Sequence, residues 1–219
     1  VGHYYPQVSY GKEYNPDSGI GLFRLCEDFG NFATKFPDFT PDLSGFKLVR
    51  GAKLTDFLSG GQISNSLTIS PKVKFVFEQF NLCPHRFYNM TILYKKEPQN
   101  YFMFHYLSNF SDFVDYKKST FVEDFLLNGT GENVEVNSKE ELFIRKEEVK
   151  QKYGKIIYSV TGKSIVMNKE FSNMQLDFFE ILIADNNGAY VSERLKNAIE
   201  GNGLTGVEFT PATHLVVES

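Results

Sequence analysis

The sequence predicts an α+β fold built on a mainly antiparallel, aromatic-rich sheet. The 219 residues include 22 Phe and 12 Tyr but no Trp, and such aromatic residues favour the half-buried surface of a sheet. Several stretches alternate apolar and polar residues, as strands do. Two other stretches, residues 70–81 and 192–201, have helical spacing instead. We therefore expect two short amphipathic helices packed on the sheet.

The first 66 residues are predicted to form a loop-rich N-terminal lobe, and residues 67–219 the main α+β domain. Pro37 and Pro41 exclude a long helix from the lobe. Its many phenylalanines argue against disorder, because disordered segments lack groups that gain from burial. We therefore expect the lobe to pack on the main domain rather than to fold alone, with a short helix near residues 54–58.

The first helix is predicted over residues 70–81. Ser70 suits the N-cap because its hydroxyl can accept a hydrogen bond from an amide of the first turn. Pro71 follows at the first helical position, where its missing N–H costs nothing. Apolar residues then recur at helical spacing: Val73, Val76, Phe77 and Phe80.

Strands are predicted after this helix, where the apolar period changes to two. Residues 85–96 and 101–108 are typical of an antiparallel hairpin. A second hairpin is predicted from residues 155–160 and 164–168, with Gly162 leading a type II′ turn. The remaining predicted strands are residues 121–127, 141–147 and 176–185.

The second helix is predicted over residues 192–201, with Ser192 as its N-cap and Glu193 near the positive end of the helix dipole. The stretch aligns without a gap on the first helix. Leu195, Ala198 and Ile199 stand where the first helix has Val73, Val76 and Phe77. Two capped amphipathic helices can look alike for physical reasons alone, and an internal duplication is the alternative interpretation.

The sequence contains no recognisable catalytic or metal-binding motif, so we expect no enzyme activity and no cofactor. Residues 161–164, Thr-Gly-Lys-Ser, end like a phosphate-binding loop, but Ile157 stands where that motif needs its leading glycine. No HExxH or CxxC spacing occurs. The four histidines are scattered: His3, His85, His105 and His214.

Charge and hydropathy exclude further classes of partner. The net charge is −4, from 23 Lys and Arg against 27 Asp and Glu, and the absence of a basic stripe argues against nucleic-acid binding. No apolar run reaches the roughly 18 residues of a membrane span, so we expect no membrane insertion. The first ten residues lack the features of a signal peptide. We therefore expect a cytoplasmic protein with Cys26 and Cys83 as reduced thiols.

Residues 108–125 combine carboxylates with aromatic rings. One interpretation is a solvated loop whose aromatic side chains turn inward. The other is an acidic, aromatic contact surface for a protein partner, because aromatic anchors inside a charged rim are typical of binding hot spots. The candidate contact residues are Asp112, Phe113, Asp115, Tyr116, Glu123 and Asp124.

Two stretches of the chain resemble a known family. Residues 69–107, which begin ISPKVKFVFEQFNLCPHRFY, and residues 190–211, YVSERLKNAIEGNGLTGVEFTP, resemble bacterial polymorphic-toxin immunity protein family eleven, long described only as a domain of unknown function. The closing segment, from Val191 to Phe209, is the family's most typical feature. The resemblance extends over about residues 45–212.

The resemblance implies a protein that binds and neutralises a cognate bacterial toxin by stoichiometric protein–protein interaction. It carries over no catalytic residues. The positions that match the closing motif can all be explained by capping and packing: Ser192, Glu193, Leu204, Gly206 and Phe209. Two alternatives remain open, namely a small carboxylate-dependent hydrolase and a non-enzymatic scaffold or adaptor of a secretion cluster.

Overall fold

A computed structural model describes most of the chain: residues 7–10, 34–59, 65–108, 110–125, 131–153, 158–181, 183 and 188–218. The chain forms two compact units, each discontinuous in sequence. Unit 1 comprises Val1–Ser108, Asp177–Phe179 and Val191–Phe209, and unit 2 comprises Asn109–Leu176, Glu180–Tyr190 and Thr210–Ser219. The predicted division at residue 66 lies inside unit 1, and part of the predicted lobe lies outside the described residues.

Unit 1 is built on a six-stranded sheet in the order β1-β2-β5-β6-β4-β3. Its strands are β1 Val8–Tyr10, β2 Phe46–Leu48, β3 Phe57–Leu58, β4 Ser66–Ile69, β5 His85–Tyr94 and β6 Glu97–Tyr106. All neighbours are antiparallel except β2 and β5. The mainly antiparallel sheet is therefore confirmed. The short helix predicted near residues 54–58 is wrong, because this segment contributes β3 instead.

The hairpin of β5 and β6 turns earlier than predicted. Its two turn residues are Lys95 and Lys96, with positive φ values of 53° and 72°, whereas the sequence predicts a break at residues 97–100. Two consecutive positive φ values are what a type I′ turn requires. Because Asn and Gly are the usual residues there, a Lys–Lys pair gives little signal of such a turn.

The described residues form four α-helices: α1 Pro71–Phe77, α2 Lys139–Tyr153, α3 Lys169–Asn173 and α4 Glu193–Gly201. The two predicted helices correspond to α1 and α4, and both predicted caps are present. The hydroxyl of Ser70 accepts from the N–H of Val73 at 3.4 Å, and that of Ser192 accepts from the N–H of Leu195 at 3.2 Å. In unit 1, α1 lies against β4 and β6, while the main neighbour of α4 is α1.

The core of unit 1 around α1 is aromatic. Phe77 is buried and packs on three further rings, with centroid distances of 5.1 Å to Phe104, 5.7 Å to Phe178 and 6.1 Å to Phe57. Phe178 opens the short strand β10 Phe178–Phe179, which is the part of the predicted strand at residues 176–185 that forms among the described residues. A further short strand, β11 Tyr190–Val191, precedes α4.

Each cap serine in unit 1 is held by an aspartate upstream of it. The backbone C=O of Asp56 accepts from the N–H of Ser70 at 2.8 Å, and its carboxylate accepts from the Ser70 hydroxyl at 2.8 Å. Asp177 binds Ser192 in the same two ways, at 2.9 and 2.6 Å. This repeated arrangement exceeds what the packing of two amphipathic helices requires, so it favours the internal duplication.

Each aspartate also binds a residue that follows the other helix. Thr205, which follows α4, donates its N–H and its hydroxyl to the carboxylate of Asp56, both at 2.9 Å. Asn81, which follows α1, donates its N–H to the carboxylate of Asp177 at 2.9 Å. We call these two arrangements the Asp56 clasp (Asp56, Ser70, Thr205) and the Asp177 clasp (Asp177, Ser192, Asn81).

Unit 2 is built on a four-stranded sheet in the order β12-β9-β7-β8. Its strands are β7 Thr120–Phe125, β8 Glu132–Val134, β9 Tyr158–Met167 and β12 Leu215–Val217. The strand predicted at residues 121–127 is thus β7. In this sheet β7 runs antiparallel to β8 and β9, and β12 runs parallel to β9.

The predicted hairpin around Gly162 is wrong, because β9 is one continuous strand. The N–H of Gly162 donates to the C=O of Ile183 at 2.7 Å. A Cβ at this position would collide with the side chain of Ile165. Glycine is therefore needed here for a close approach inside the sheet rather than for a turn.

The strand predicted at residues 141–147 is also wrong, because these residues belong to α2. Leu142 and Val149 lie seven residues apart, two helical turns, and both are buried. Ser138 precedes the helix and accepts the N–H of Glu141 at 3.1 Å, as an N-cap does. The apolar residues at positions 142–144 resemble a short strand, and short apolar runs do not distinguish the two structures.

Candidate interaction surface

The six predicted contact residues all belong to unit 2, but the structure brings only two of them to one groove. Asp112 lies on a 3₁₀ helix, Ser111–Phe113, and Tyr116 on the turn that follows. Both face the first turns of α2 across a groove of about 490 Å³. The groove is lined by Ser111, Asp112, Tyr116, Lys139, Glu140, Leu142, Phe143, Ile144, Lys146 and Ile183.

Tyr116 forms a rigid wall of this groove. Its buried ring stacks on Phe121 with a centroid distance of 5.8 Å and an interplanar angle of 9°. Its hydroxyl donates to the backbone C=O of Ser111 at 3.0 Å. Burial, together with the nearby carboxylates of Asp112 and Glu140, raises the pKa of Tyr116 to about 12. The phenol therefore stays neutral over the physiological pH range.

Two large apolar side chains of α2 line the groove from the solvent side. Phe143 is 67% exposed and Ile144 is 56% exposed, whereas their neighbour Leu142 is buried in unit 2. A helix normally keeps its apolar residues on one buried stripe. Adjacent exposed apolar residues beside a groove mark a site where another molecule can bury them.

Lysines match the predicted acidic charges. Asp112 forms an ion pair with Lys139 at 2.8 Å, Asp115 with Lys118 at 3.0 Å, and Glu123 with Lys152 at 3.8 Å. Such exposed pairs contribute only about 0–1 kcal/mol of stability each. They nevertheless place a lysine beside three of the four predicted carboxylates.

Lys146 differs from these lysines. It is half-buried at the groove, and no residue of the described part of the chain forms an ion pair or a hydrogen bond with its ammonium group. Burial lowers the pKa of Lys146 below its usual range. A cation in this setting loses hydration without gaining a partner.

The other four predicted contact residues lie away from the groove. Phe113 packs on Phe110 and Phe171, with centroid distances of 6.4 and 6.2 Å. Asp115 instead organises the following turn, where it accepts the N–H of Lys118 at 3.2 Å.

Glu123 and Asp124 lie on β7. Glu123 pairs with Lys152 in the last turn of α2. Asp124 pairs with Ser159 of β9 in the ladder, and its side chain lies outside the described residues. Whether any of the six binds a partner remains a prediction.

The sequence prediction does not include the residues that give the groove its character: Phe143, Ile144 and Lys146. They were placed on a strand, where alternate side chains would point to opposite faces. A helical interpretation was available from the cap at Ser138 and the spacing of Leu142 and Val149. In the helix, Lys146 lies on the stripe of Leu142 and Val149, four residues after the first and three before the second, whereas Phe143 and Ile144 lie off it.

The other groups considered as candidates for chemistry lie in a turn, in the core or inside a strand. The imidazole Nδ1 of His85 lies 2.8 Å from the backbone C=O of Cys83, and Cys83 itself is buried. The phosphate-loop-like residues 161–164 lie inside β9. Within the described ranges, no three His, Cys, Asp or Glu side chains converge in a way that could hold a metal ion. His3 and Cys26 lie outside those ranges.

The helices also bear on membrane association. None of those in the described part of the chain has both the length and the apolar character needed to cross a bilayer.

No protein-family model and no curated protein matches this sequence. Function is therefore inferred from the residues themselves and from the groove.

Proposed function

We propose that this chain is an immunity protein that binds a cognate bacterial toxin in fixed stoichiometry and blocks it without catalysis. Two observations support the proposal. Residues 69–107 and 190–211 resemble polymorphic-toxin immunity protein family eleven. The groove at α2 offers exposed apolar side chains beside the ion pair of Asp112 and Lys139, and apolar anchors flanked by charged groups are typical of interface hot spots. The proposal places the protein in the cytoplasm, where it meets the toxin.

The observation that carries the proposal is the pair Phe143 and Ile144. Burial of apolar surface contributes about 25 cal/mol per Å², so two large exposed side chains are a ready source of binding free energy. The flanking pair of Asp112 and Lys139 would form part of a polar rim, and the wall at Tyr116 is already fixed. Such preorganisation lowers the entropic cost of association.

Co-expression tests this proposal. Cells that express the toxin encoded next to this chain's gene should survive when they also express this chain. The two proteins should also co-purify, and native mass spectrometry of the complex should show one constant ratio. A Phe143→Asp variant should lose the rescue, because it places a charge in the apolar contact.

A matched control comes from a second exposed phenylalanine, which lies on α1. Phe75 of α1 is 70% exposed and lies in unit 1, outside the groove. A Phe75→Asp variant should rescue as well as the unchanged protein does. Absence of both rescue and complex with the unchanged protein would refute the immunity function, whereas loss of rescue by Phe75→Asp alone would move the binding face to α1.

A further inference from the structure

Among the described residues that line the groove, one cation, Lys146, forms no ion pair. Asp112 and Lys139 form an ion pair with each other. Glu140 is exposed at the start of α2, where its own N–H and the hydroxyl of Ser138 donate to it and lower its pKa. Lys146 has no partner among the described residues. A bound molecule can therefore gain one new ion pair here.

The surroundings of Lys146 make such a pair valuable. The groove lining includes the apolar residues Leu142, Phe143 and Ile183 as well as polar ones, and Lys146 is half-buried among them, so its side chain has lost part of its hydration. A carboxylate placed against it would replace the lost hydration, and bound apolar groups would exclude water from the pair. Ion pairs desolvated in this way are among those that interfaces depend on most strongly.

We infer that the groove takes an acidic, apolar segment of the toxin, in which an apolar side chain packs on Phe143 and Ile144 while a neighbouring Asp or Glu pairs with Lys146. This inference rests on the proposed function and names the chemistry of the surface that the toxin presents. It reverses the expectation from the sequence, in which the carboxylates of this chain would make the contact.

Nucleic acid does not fit this groove. A phosphate backbone binds through several unpaired cations, whereas Lys146 is the one cation without an ion pair among the described residues that line the groove. A single carboxylate next to an apolar side chain needs only one cation, which is what the groove provides.

Charge reversal at one position of α2 tests the inference. With the full chain and the purified toxin, Lys146→Glu should weaken the dissociation constant by about 100-fold, and Lys146→Met by about 30-fold, because each leaves the toxin carboxylate buried and unpaired. Lys150→Glu is the matched control. Lys150 is exposed on the same helix and pairs with Glu147, so this variant should bind within about threefold of the unchanged protein.

The outcomes separate the two claims. If the unchanged protein binds the toxin and both Lys146 variants bind it equally well, the role of Lys146 is wrong while the immunity function stands. If the unchanged protein forms no complex, both are wrong. Thermal melts accompany each titration, and if Lys146→Glu fails to fold, Lys146→Met decides, since it keeps the apolar stem.

A zero-length cross-link gives an independent measurement. A carbodiimide activates a carboxylate, and a lysine amine in contact with it then forms an amide while the activating group leaves as the urea. Peptide mass spectrometry of the treated complex should show Lys146 joined to an Asp or Glu of the toxin. Cross-links confined to Lys72 of α1, beside Phe75, would overturn the inference and place the toxin on α1 instead.

Discussion

At the scale of single residues, Gly206 shows why the closing segment GLTGVEF has its particular letters. Its φ is +91°, and a Cβ on it would collide with the backbone C=O of Phe57 and the side chain of Thr55. The next residue upstream, Thr205, must reach Asp56 for the Asp56 clasp to form. Glycine at position 206 therefore lets the chain approach β3 closely enough to make these bonds.

Gly206→Ala should lower the free energy of unfolding by about 2–3 kcal/mol, because it combines a strained φ with a backbone collision. Gly203 is the matched control, since its φ is +63° but nothing lies within 4 Å of an added Cβ. Gly203→Ala should cost only about 1 kcal/mol. Urea denaturation of both variants measures the difference, and equal losses would show that the contact with β3 is unimportant.

At the scale of the elements, the position of each phenylalanine along α1 decides whether it is buried or exposed. Phe77 lies on the buried stripe with Val73 and Val76, whereas Phe75 points to solvent. Phe77→Ala should lower the free energy of unfolding by about 3–5 kcal/mol through lost burial and the cavity left behind. Phe75→Ala should change it by less than about 0.5 kcal/mol. Thermal melts that shift equally for both variants would contradict this assignment of the core.

The elements that the sequence predicts well are those with local signals. Ser70 and Ser192 mark the starts of α1 and α4 because a cap acts within one turn. The strands β5 and β6 follow from long alternating stretches. The strand at residues 141–147 and the turn at Gly162 are wrong, whereas the strands predicted on either side of that turn lie largely within β9. Short apolar runs do not distinguish helix from strand, and only the packing around Leu142 and Gly162 decides these two cases.

The candidate surface was predictable only in part for the same reason. The aromatic and acidic residues within 108–125 predict a contact surface that includes Asp112 and Tyr116, and these two residues line the groove. Pairing of the carboxylates with Lys139 and Lys152 depends on α2, and the sequence predicts a strand at residues 141–147 within this helix. The unmatched Lys146 therefore could not be recognised from the letters alone.

At the scale of the whole molecule, the two clasps should control stability in acid. Burial alone would raise the pKa of Asp177, but hydrogen bonds from Arg194, Ser192 and Asn81 outweigh burial and hold it below its usual 3.8. Asp56 is lowered in the same way, with Thr205 and Ser70 outweighing its burial. A lowered pKa contributes stability that is present above pH 3.8 and lost as the pH falls through the folded-state value.

Asp177→Asn should therefore lower the free energy of unfolding by about 1.5–3 kcal/mol at pH 7, where it removes hydrogen bonds to a charged acceptor. The difference from the unchanged protein should shrink as the pH falls below 3.8, because the native carboxyl then becomes protonated as well. Denaturation at pH 7 and at successively lower pH checks this. A difference that stays constant through that range would show that the charge of Asp177 is irrelevant.

The Asp56 clasp also limits how early the newly synthesised chain can complete its fold. Asp56 waits for Thr205, which is 149 positions further on, and at ordinary elongation rates the ribosome needs roughly 7–30 s to add that many residues. Until Thr205 has been synthesised, Asp56, which precedes α1, lacks this hydrogen-bond donor. The nascent chain is therefore expected to reach its native structure only near the end of its own translation.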